Sequence, residues 1–230
     1  MINFGDIISY FQMCSTEGGV PLQQGMNFRL RGGHSVILMS LRGDAPYADK
    51  IINDGKTLIY EGHNVNRTIS KNPKAIDQQL KNPGGSLTSN GKFFYSAQKY
   101  KSGASTPDPV RVYEKIKKGF WVYNGLFNLV DAWQEDSENR KVFKFQLELS
   151  ETETIIGLEK KDLAHNRVIP ASVKIEVFKR DQGKCVKCGS DNNLHYDHIL
   201  PYSKGGTSLT AGNIQILCAK HNLAKSNKIQ

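Results

Sequence analysis

The sequence predicts an α+β protein that consists of a sheet-rich N-terminal domain and a small, metal-bound C-terminal domain. Three observations lead to this prediction. Short apolar runs separated by turn residues fill residues 20–150, a polar and charged stretch follows them, and three of the four cysteines lie beyond residue 184. A chain of 230 residues is long enough for one large domain and one small one.

The N-terminal domain is predicted over residues 1–150, and it begins with a helix near residues 4–14. The runs that follow are rich in β-branched and aromatic residues, and the turn sequences NDG, NPGG and SNG separate them. This pattern is typical of a mostly antiparallel sheet or barrel. The strand-like runs are HSVILMSL, KTLIYEG, KFFYSAQKY, VRVYEKI, GFWVYNGLFNLVDAW and RKVFKFQLEL.

A linker is predicted over residues 151–172, because most of this stretch is polar, charged and only weakly periodic. Ser172 can cap a short helix that ends near Gly183. The C-terminal domain is therefore predicted over residues 173–230.

The net charge of +9, with a sequence pI near 9.3, favours an anionic partner, most simply nucleic acid. Residues 171–230 carry nine Lys and Arg against four Asp and Glu, a net charge of +5, which leaves +4 for the other 170 residues. The sequence contains no apolar run of about 18 residues and its first residues include no basic leader. We therefore expect a cytoplasmic protein without a membrane partner.

Two pairs of metal-ligating residues, Cys185-x-x-Cys188 and Cys218-x-x-His221, are separated by residues 189–217. This spacing is typical of a tetrahedral Zn²⁺ site, and clustered cysteines in an intracellular chain favour metal over disulfides. The alternative is a pair of buried cysteines and an unrelated second pair. Zinc would also stabilise a domain of about sixty residues with few large apolar side chains.

The string CVKCG…YDHILPYSKGG…NIQILCAKHNLAK, within about residues 173–230, resembles the HNH nuclease family. The resemblance implies a ββα-metal fold, with a β-hairpin, a helix and one divalent ion. It implies that His198 is the general base, that Asp197 binds a catalytic Mg²⁺ or Mn²⁺, and that Asn213 orients the loop of the histidine. Asn222 stands in the place of the family's last histidine, and an amide oxygen also suits a hard cation.

The sequence leaves the roles of several residues in this domain open. His221 either completes a Cys₃His zinc set or serves the catalytic ion. Lys204 and Lys225 are interpreted as solvated charges, with contact to phosphate as the alternative, and His195 as a surface or core residue.

The ordered strings APYADKIINDGKTLIYEGH, IDQQL, NGKFF and WVYNGLFNLVDAW resemble the SRA (SET- and RING-associated) family over residues 30–145. The family reads modified cytosine, so the resemblance implies an SRA-like β-barrel that holds a base extruded from the duplex. Tyr47 and Tyr60 match its stacking positions. Asp49 is the candidate acceptor for the cytosine amino group, with Lys50 at this position in a shifted alignment. The alternative is that both tyrosines only pack the barrel.

Four other polar residues of this domain have less definite interpretations. Glu61 either alters which modification fits or is a surface acid. Asp77 and Gln78 are expected to hold the fold together. Arg67 either enters a DNA groove or is a solvated charge.

Together the resemblances imply an endonuclease that flips a modified cytosine (5-methyl or 5-hydroxymethyl) out of double-stranded DNA and hydrolyses phosphodiester bonds, in restriction of foreign DNA. Its cofactors would be structural Zn²⁺ and catalytic Mg²⁺ or Mn²⁺, and a homodimer would cut both strands. One alternative is an ordinary sequence-specific HNH endonuclease that ignores modification. Another is a non-catalytic, zinc-containing DNA-binding protein, which would need neither Asp197 nor His198.

Overall fold

The computed structural model describes residues 2–22, 24–68, 70–150, 169–201 and 204–225. We call residues 2–150 the N-terminal region and residues 169–225 the C-terminal module. Residues 151–168 of the predicted linker lie outside the described residues. Its last four residues are described, and a helix begins among them at Ala171.

Ten strands and four α-helices organise the described chain. The strands are β1 (Asp6–Ser9), β2 (Met26–Asn27), β3 (Ser35–Met39), β4 (Lys50–Ile52), β5 (Thr57–Glu61), β6 (Asp108–Lys117), β7 (Phe120–Ser137), β8 (Arg140–Leu149), β9 (Leu194–His198) and β10 (Ile214–Cys218). The helices are α1 (Tyr10–Thr16), α2 (Ser89–Lys101), α3 (Ala171–Arg180) and α4 (Ala219–Lys225).

All ten strands belong to one sheet. Its main path runs β10-β9-β1-β7-β6-β3-β2, and a second path continues from β7 through β8 and β5 to β4. Neighbouring strands are antiparallel except β3 and β6, which are parallel. The predicted α+β class and the sheet-rich N-terminal part are confirmed. The sheet also connects the two parts of the chain, because β1 pairs with β7 on one side and with β9 on the other.

The predicted first helix is wrong in its first half. Asp6–Ser9 form β1, and the helix α1 starts only at Tyr10. Ser9 ends the strand and caps the helix, because its hydroxyl accepts from the Gln12 N–H while the Gln12 side chain accepts from the Ser9 N–H. Ile7 lies in the sheet because β7 and β9 offer it partners on both sides.

The run KFFYSAQKY, predicted as a strand, is helical and lies in α2. Thr88 caps this helix by accepting from the Gly91 N–H. Phe93 and Ala97, four residues apart, lie on one face of the helix and are buried against the sheet beside Phe145. The apolar run is therefore a buried helix face, a case that short apolar runs leave ambiguous.

The C-terminal module consists of the strands β9 and β10 and the helices α3 and α4. The buried apolar side chains of β9, β10 and α3 form one cluster that also contains Ile7, Ile116 and Val122 of the N-terminal region. The module and the region thus share a hydrophobic core as well as a sheet. Among the described residues, no helix is long and apolar enough to span a membrane.

Candidate functional site

Four metal-ligating side chains converge in the C-terminal module. Cys185 and Cys188 lie in the turns after α3, Cys218 ends β10, and His221 lies in the first turn of α4. The Cys188 and Cys218 sulfurs are 3.9 Å apart, and His221 Nδ1 lies 3.4 Å from Cys185 Sγ and 3.3 Å from Cys218 Sγ. Tetrahedral geometry with Zn–S bonds of about 2.3 Å puts sulfurs about 3.8 Å apart. The four side chains therefore fit one tetrahedral metal ion.

The environment of Cys185 favours the form that binds metal. Burial alone raises the pKa of this thiol, but the backbone N–H groups of Cys218, Lys187 and Cys188 donate to the sulfur and lower the pKa to about 6. A thiolate is the species that ligates metal. The local backbone thus prepares the sulfur for a cation.

His198 is the last residue of β9 and lies opposite Ile214 of β10. Its Nε2 is 2.8 Å from the hydroxyl of Ser208, which fixes the orientation of the ring. Because successive side chains of a strand point to opposite faces, Asp197 points to the other face. The sequence did not single out Ser208, which lies ten residues away in the following loop.

Asn213 closes the loop that follows His198. Its side-chain oxygen accepts from the Leu200 N–H at 2.8 Å, and its amide group donates to the carbonyls of Leu200 at 3.1 Å and Thr207 at 3.0 Å. The carbonyl of Asn213 also accepts from the Ile199 N–H at 2.8 Å. These bonds are the ones expected of a residue that orients the loop, and its part in catalysis stays a prediction.

Lys225 is buried beside the candidate site, so its interpretation as a solvated charge is wrong. Its side chain is 1% exposed, and its Nζ lies 3.0 Å from Asp197 Oδ2 and donates to the carbonyl of His198 at 2.5 Å. Gln215 Nε2 donates to the same Asp197 oxygen at 3.0 Å. One carboxylate oxygen of Asp197 is therefore held by a cation and an amide.

Lys225 shares one side of α4 with His221 and Asn222. It lies four residues after His221 and three after Asn222, so the three side chains leave α4 on one side. Asn222 is half-buried on this side. Its binding of a catalytic ion stays a prediction.

The structure brings Tyr47, Asp49 and Tyr60 together on one cavity of about 740 Å³ in the N-terminal region. Tyr47 is half-buried and stacks on His63, with ring centroids 6.2 Å apart and planes inclined by 17°. Tyr60 lies in β5 and is 1% exposed, as an aromatic residue of the core would be. It also lines the cavity. Tyr60 therefore packs the core, and it lies where a base in the cavity could contact it.

Asp49 is held by the backbone at the edge of this cavity. Its two carboxylate oxygens accept from the N–H groups of Glu61 at 3.0 Å and Ser40 at 3.3 Å. Burial raises the pKa of Asp49 to about 6, although the two N–H groups act in the opposite direction. Its neighbour Lys50 is exposed and does not border the cavity.

Glu61 is a buried, paired carboxylate and not a surface acid. Its side chain is 4% exposed and lies 2.9 Å from Lys144 Nζ and 3.3 Å from Arg140. It accepts from the Ala48 N–H at 3.2 Å, while Lys144 donates to the Ala48 carbonyl. Glu61 and Lys144 therefore clamp the peptide that lies between Tyr47 and Asp49.

Gly25 makes room for the hydroxyl of Tyr60. A Cβ atom at this position would lie 2.5 Å from the Tyr60 oxygen and 3.0 Å from His63 Nε2. Burial lowers the pKa of His63 to about 4, so its ring is neutral near pH 7. An uncharged hydroxyl and an uncharged imidazole therefore lie beside Gly25.

Basic side chains also line the cavity. Arg42, Lys115 and Lys118 contribute to its lining, together with the aromatic rings of Tyr10 and Trp121. Lys115 Nζ lies 5.8 Å from the centre of the Trp121 ring. Cations that line a cavity favour an anionic ligand such as a nucleic acid backbone.

Other polar residues named in the sequence analysis either bond within the fold or are exposed to solvent. Asp77 accepts from the Lys141 N–H, and buried Gln78 bonds to the backbone of Gly62 and Phe143, as expected. His195 Nδ1 lies 2.6 Å from Asp6 Oδ1. Arg67 and Lys204 are exposed.

Comparison with protein families gives two matches. The model described as SAD/SRA domain matches residues 2–152, and the model described as HNH endonuclease matches residues 185–228. These are the two parts of the chain that carry the two resemblances. No curated protein matches the chain.

Three solved structures illustrate the similarity. The SUVH5 SRA domain in complex with hemimethylated CG DNA is 28% identical, with 65% of this chain and 89% of that chain covered and a TM-score of 0.44. The SUVH5 SRA domain bound to fully hydroxymethylated CG DNA has the same identity and coverage and a TM-score of 0.45. Arabidopsis thaliana SUVH6 in complex with SAM is 23% identical over 72% of this chain and 30% of that chain, with a TM-score of 0.42.

Proposed function

Because this chain belongs to the SAD/SRA domain family and ends in an HNH endonuclease domain, we propose that it cleaves double-stranded DNA that contains a modified cytosine. The N-terminal region takes the modified base out of the duplex, and the C-terminal module hydrolyses a phosphodiester bond. Such an enzyme acts on foreign DNA in the cytoplasm. The observation that carries the proposal is the joint presence of an aromatic and acidic cavity and a His-Asp-Asn nuclease site in one chain.

In the cavity, the extruded base stacks on the face of the Tyr47 ring that is turned away from His63. Asp49 accepts from the exocyclic amino group of the base. The two backbone N–H groups that bind its carboxylate fix the direction of its oxygens, and the Glu61–Lys144 pair holds the peptide beside it. Ionised Asp49 is the acceptor, and its pKa of about 6 leaves it ionised at neutral pH.

In the nuclease site, His198 accepts a proton from the attacking water. Ser208 holds the ring at Nε2 and so fixes its orientation. Asp197 and Asn222 would hold Mg²⁺ or Mn²⁺, because both ions prefer oxygen donors. When bound, this ion stabilises negative charge on the phosphate and on the leaving oxygen.

The Cys185, Cys188, Cys218 and His221 set binds Zn²⁺ as a structural ion, since all four tetrahedral positions are filled by protein ligands. We assign His221 to the zinc set and not to the catalytic ion, and the distances of up to 3.4 Å from its Nδ1 to two cysteine sulfurs support this assignment. One nuclease site cuts one strand. A double-strand break therefore requires a homodimer or two binding events.

The test of the function is cleavage of matched duplexes that carry one cytosine, 5-methylcytosine, 5-hydroxymethylcytosine or glucosylated 5-hydroxymethylcytosine, with Mg²⁺ or Mn²⁺. We expect cutting of at least one modified duplex and little cutting of the unmodified one. Equal cutting of all four duplexes would instead favour an ordinary endonuclease. Absence of cutting with both ions would favour a DNA-binding protein.

Binding titrations test the cavity separately. Base stacking on an aromatic side chain is worth about 1–3 kcal/mol, so Tyr47→Ala should weaken binding to modified DNA roughly 5- to 150-fold. For buried Tyr60 the suitable change is Tyr60→Phe, which removes only the hydroxyl. Tyr95→Ala, at a position that is 41% exposed, is the matched control. Binding to unmodified DNA rests on phosphate contacts and should change little.

A further inference from the structure

We propose that the C-terminal module is fixed on the N-terminal region, so that the protein cuts DNA at one set distance from the bound base. The inference rests on the proposed function and adds a rule for where the cut falls. Three independent sets of contacts carry it: strand pairing, a shared hydrophobic core and a buried ion pair.

Strand pairing joins the two parts through β1. On one side Ile7 pairs with Val122 of β7, and on the other it pairs with Leu194 of β9. The side chains of Asp6 and His195, which are register partners, also meet, with Asp6 Oδ1 2.6 Å from His195 Nδ1. Because β9 also carries Asp197 and His198, the strand of the nuclease site is itself hydrogen-bonded to the N-terminal region.

The shared core lies under this junction. Ile7, Ile116 and Val122 of the N-terminal region are 6%, 4% and 0% exposed and pack with the buried side chains of α3, β9 and β10. At its edge the rings of Phe120 and Phe178 are 5.3 Å apart. Separating the two parts would expose all of these apolar surfaces to water, which is unfavourable.

A buried ion pair sets the orientation of α3. Lys174 Nζ lies 2.6 Å from Glu114 Oε2 of β6 and donates to Asn124 Oδ1 of β7 at 2.8 Å. The two charged side chains are 4% and 1% exposed. A buried charge without its partner is strongly unfavourable, so the ammonium and the carboxylate must stay together. The carbonyl of Lys174 also accepts from the hydroxyl of Tyr196 in β9.

The alternative is a nuclease on a tether. A flexible chain of 18 residues, the length of 151–168, has a root-mean-square span of about 23 Å. At about 3.4 Å per base pair, this span corresponds to about seven base pairs. A tethered nuclease would therefore spread its cuts over several positions, and a longer tether would spread them further.

The experiment maps cleavage at nucleotide resolution on a duplex with a single modified cytosine, with each strand labelled at its end in turn. The wild-type protein is compared with a variant that has ten additional Gly and Ser residues inserted within residues 151–168. We expect one dominant cut position per strand and the same position for both proteins. Cuts spread over about seven base pairs, or a cut position that moves with the insertion, would overturn the proposal.

A second readout separates this inference from the proposed function. Small-angle X-ray scattering of the same two proteins without DNA should give radii of gyration that differ only by the small added loop. An expanded or elongated variant would overturn the fixed arrangement even if modified DNA is cut. Absence of any preference for modified DNA, with unchanged scattering, would refute the function and leave the fixed arrangement supported.

Discussion

The ammonium group of Lys225 lies against both residues on which the proposed cleavage depends. It bonds to the Asp197 carboxylate and to the carbonyl of His198, and it is almost completely buried. Desolvating an ammonium group is costly unless a charged partner and further acceptors surround it. Lys225 therefore fixes the end of β9.

Replacement of Lys225 by Met should strongly destabilise the module, because it leaves the Asp197 carboxylate without its cation. Loss of one partner of a buried ion pair typically costs about 3–5 kcal/mol of unfolding free energy. Lys220→Met, an exposed lysine of the same helix, is the matched control and should cost almost nothing. Urea unfolding followed by tryptophan fluorescence measures both, and equal stability of the two variants would contradict the prediction.

Replacement of His198 by Ala should abolish cleavage and leave DNA binding and metal content intact. A general base contributes about 10²–10⁴-fold to the rate. His198 is not one of the four metal-ligating residues, so its loss should not change the metal content. Leu209→Ala, on the same loop as Ser208 and 67% exposed, is the control. Single-turnover cleavage is the measurement, and wild-type speed in the His198 variant would show that another group is the base.

At this scale the sequence was informative where residue type and spacing alone determine the chemistry. Two pairs of metal-ligating residues, each with two residues between its members, predict one metal site. The four ligand atoms do lie close together in the structure. Lys225 could not be assigned in this way, because a lysine near the end of a helix is normally solvated. Lys225 is buried because it pairs with Asp197, which lies 28 residues earlier in the chain. The sequence does not show that these two residues are in contact.

Among the elements, β5 and the chain before β2 meet at Gly25. Replacement of Gly25 by Ala should displace the Tyr60 hydroxyl and His63, because the added Cβ would lie 2.5 Å and 3.0 Å from them. If the base stacks beside these side chains, the affinity for modified DNA should fall roughly 5-fold or more, with little change for unmodified DNA. The control is Gly84→Ala, where nothing lies within 4 Å of an added Cβ.

The hairpin β9–β10 and helix α4 depend on the metal-binding set. Replacement of Cys185 by Ser should release the ion and unfold the module, since structural zinc supplies an apparent binding free energy of about 10–16 kcal/mol. Elemental analysis should find about one zinc per wild-type chain and less in the variant. The control is Cys14→Ser, outside this set. Full zinc content in the Cys185 variant would exclude this residue as a ligand.

Elements that are indicated by their own residues were predicted well. Elements that form only because of residues far away in the sequence were not. The runs around β3, β5, β7 and β8 are strands as predicted. The short β1 was not predicted, because its two neighbours β7 and β9 are far away in the sequence. The helix α2 was missed because its apolar residues include many aromatic side chains, which favour strands in isolation.

Over the whole molecule, the common sheet and core predict that the N-terminal region and the C-terminal module unfold together. Scanning calorimetry of the metal-loaded protein should show one transition, with a calorimetric enthalpy equal to the van't Hoff enthalpy. Two separate transitions in the wild-type protein would contradict a shared core.

Replacement of Lys174 by Met should weaken this coupling, because Glu114 would remain buried without its cation. We expect the single transition to broaden or to split in two. Lys179→Met, an exposed position on the same helix, should leave it unchanged.

The position of β1 between β7 and β9 also determines when the nuclease site is completed during synthesis. Asp6 and its register partner His195 are 189 residues apart in sequence (195 minus 6), so this is a contact of very high sequence separation. The N-terminal part of a chain leaves the ribosome first, and distant pairings form slowly because a long loop must close. The strand that carries His198 can find its partner only when almost the entire chain has emerged. A nascent chain therefore completes the cavity lined by Tyr47 and Asp49 before it completes the sheet around the strand that carries His198.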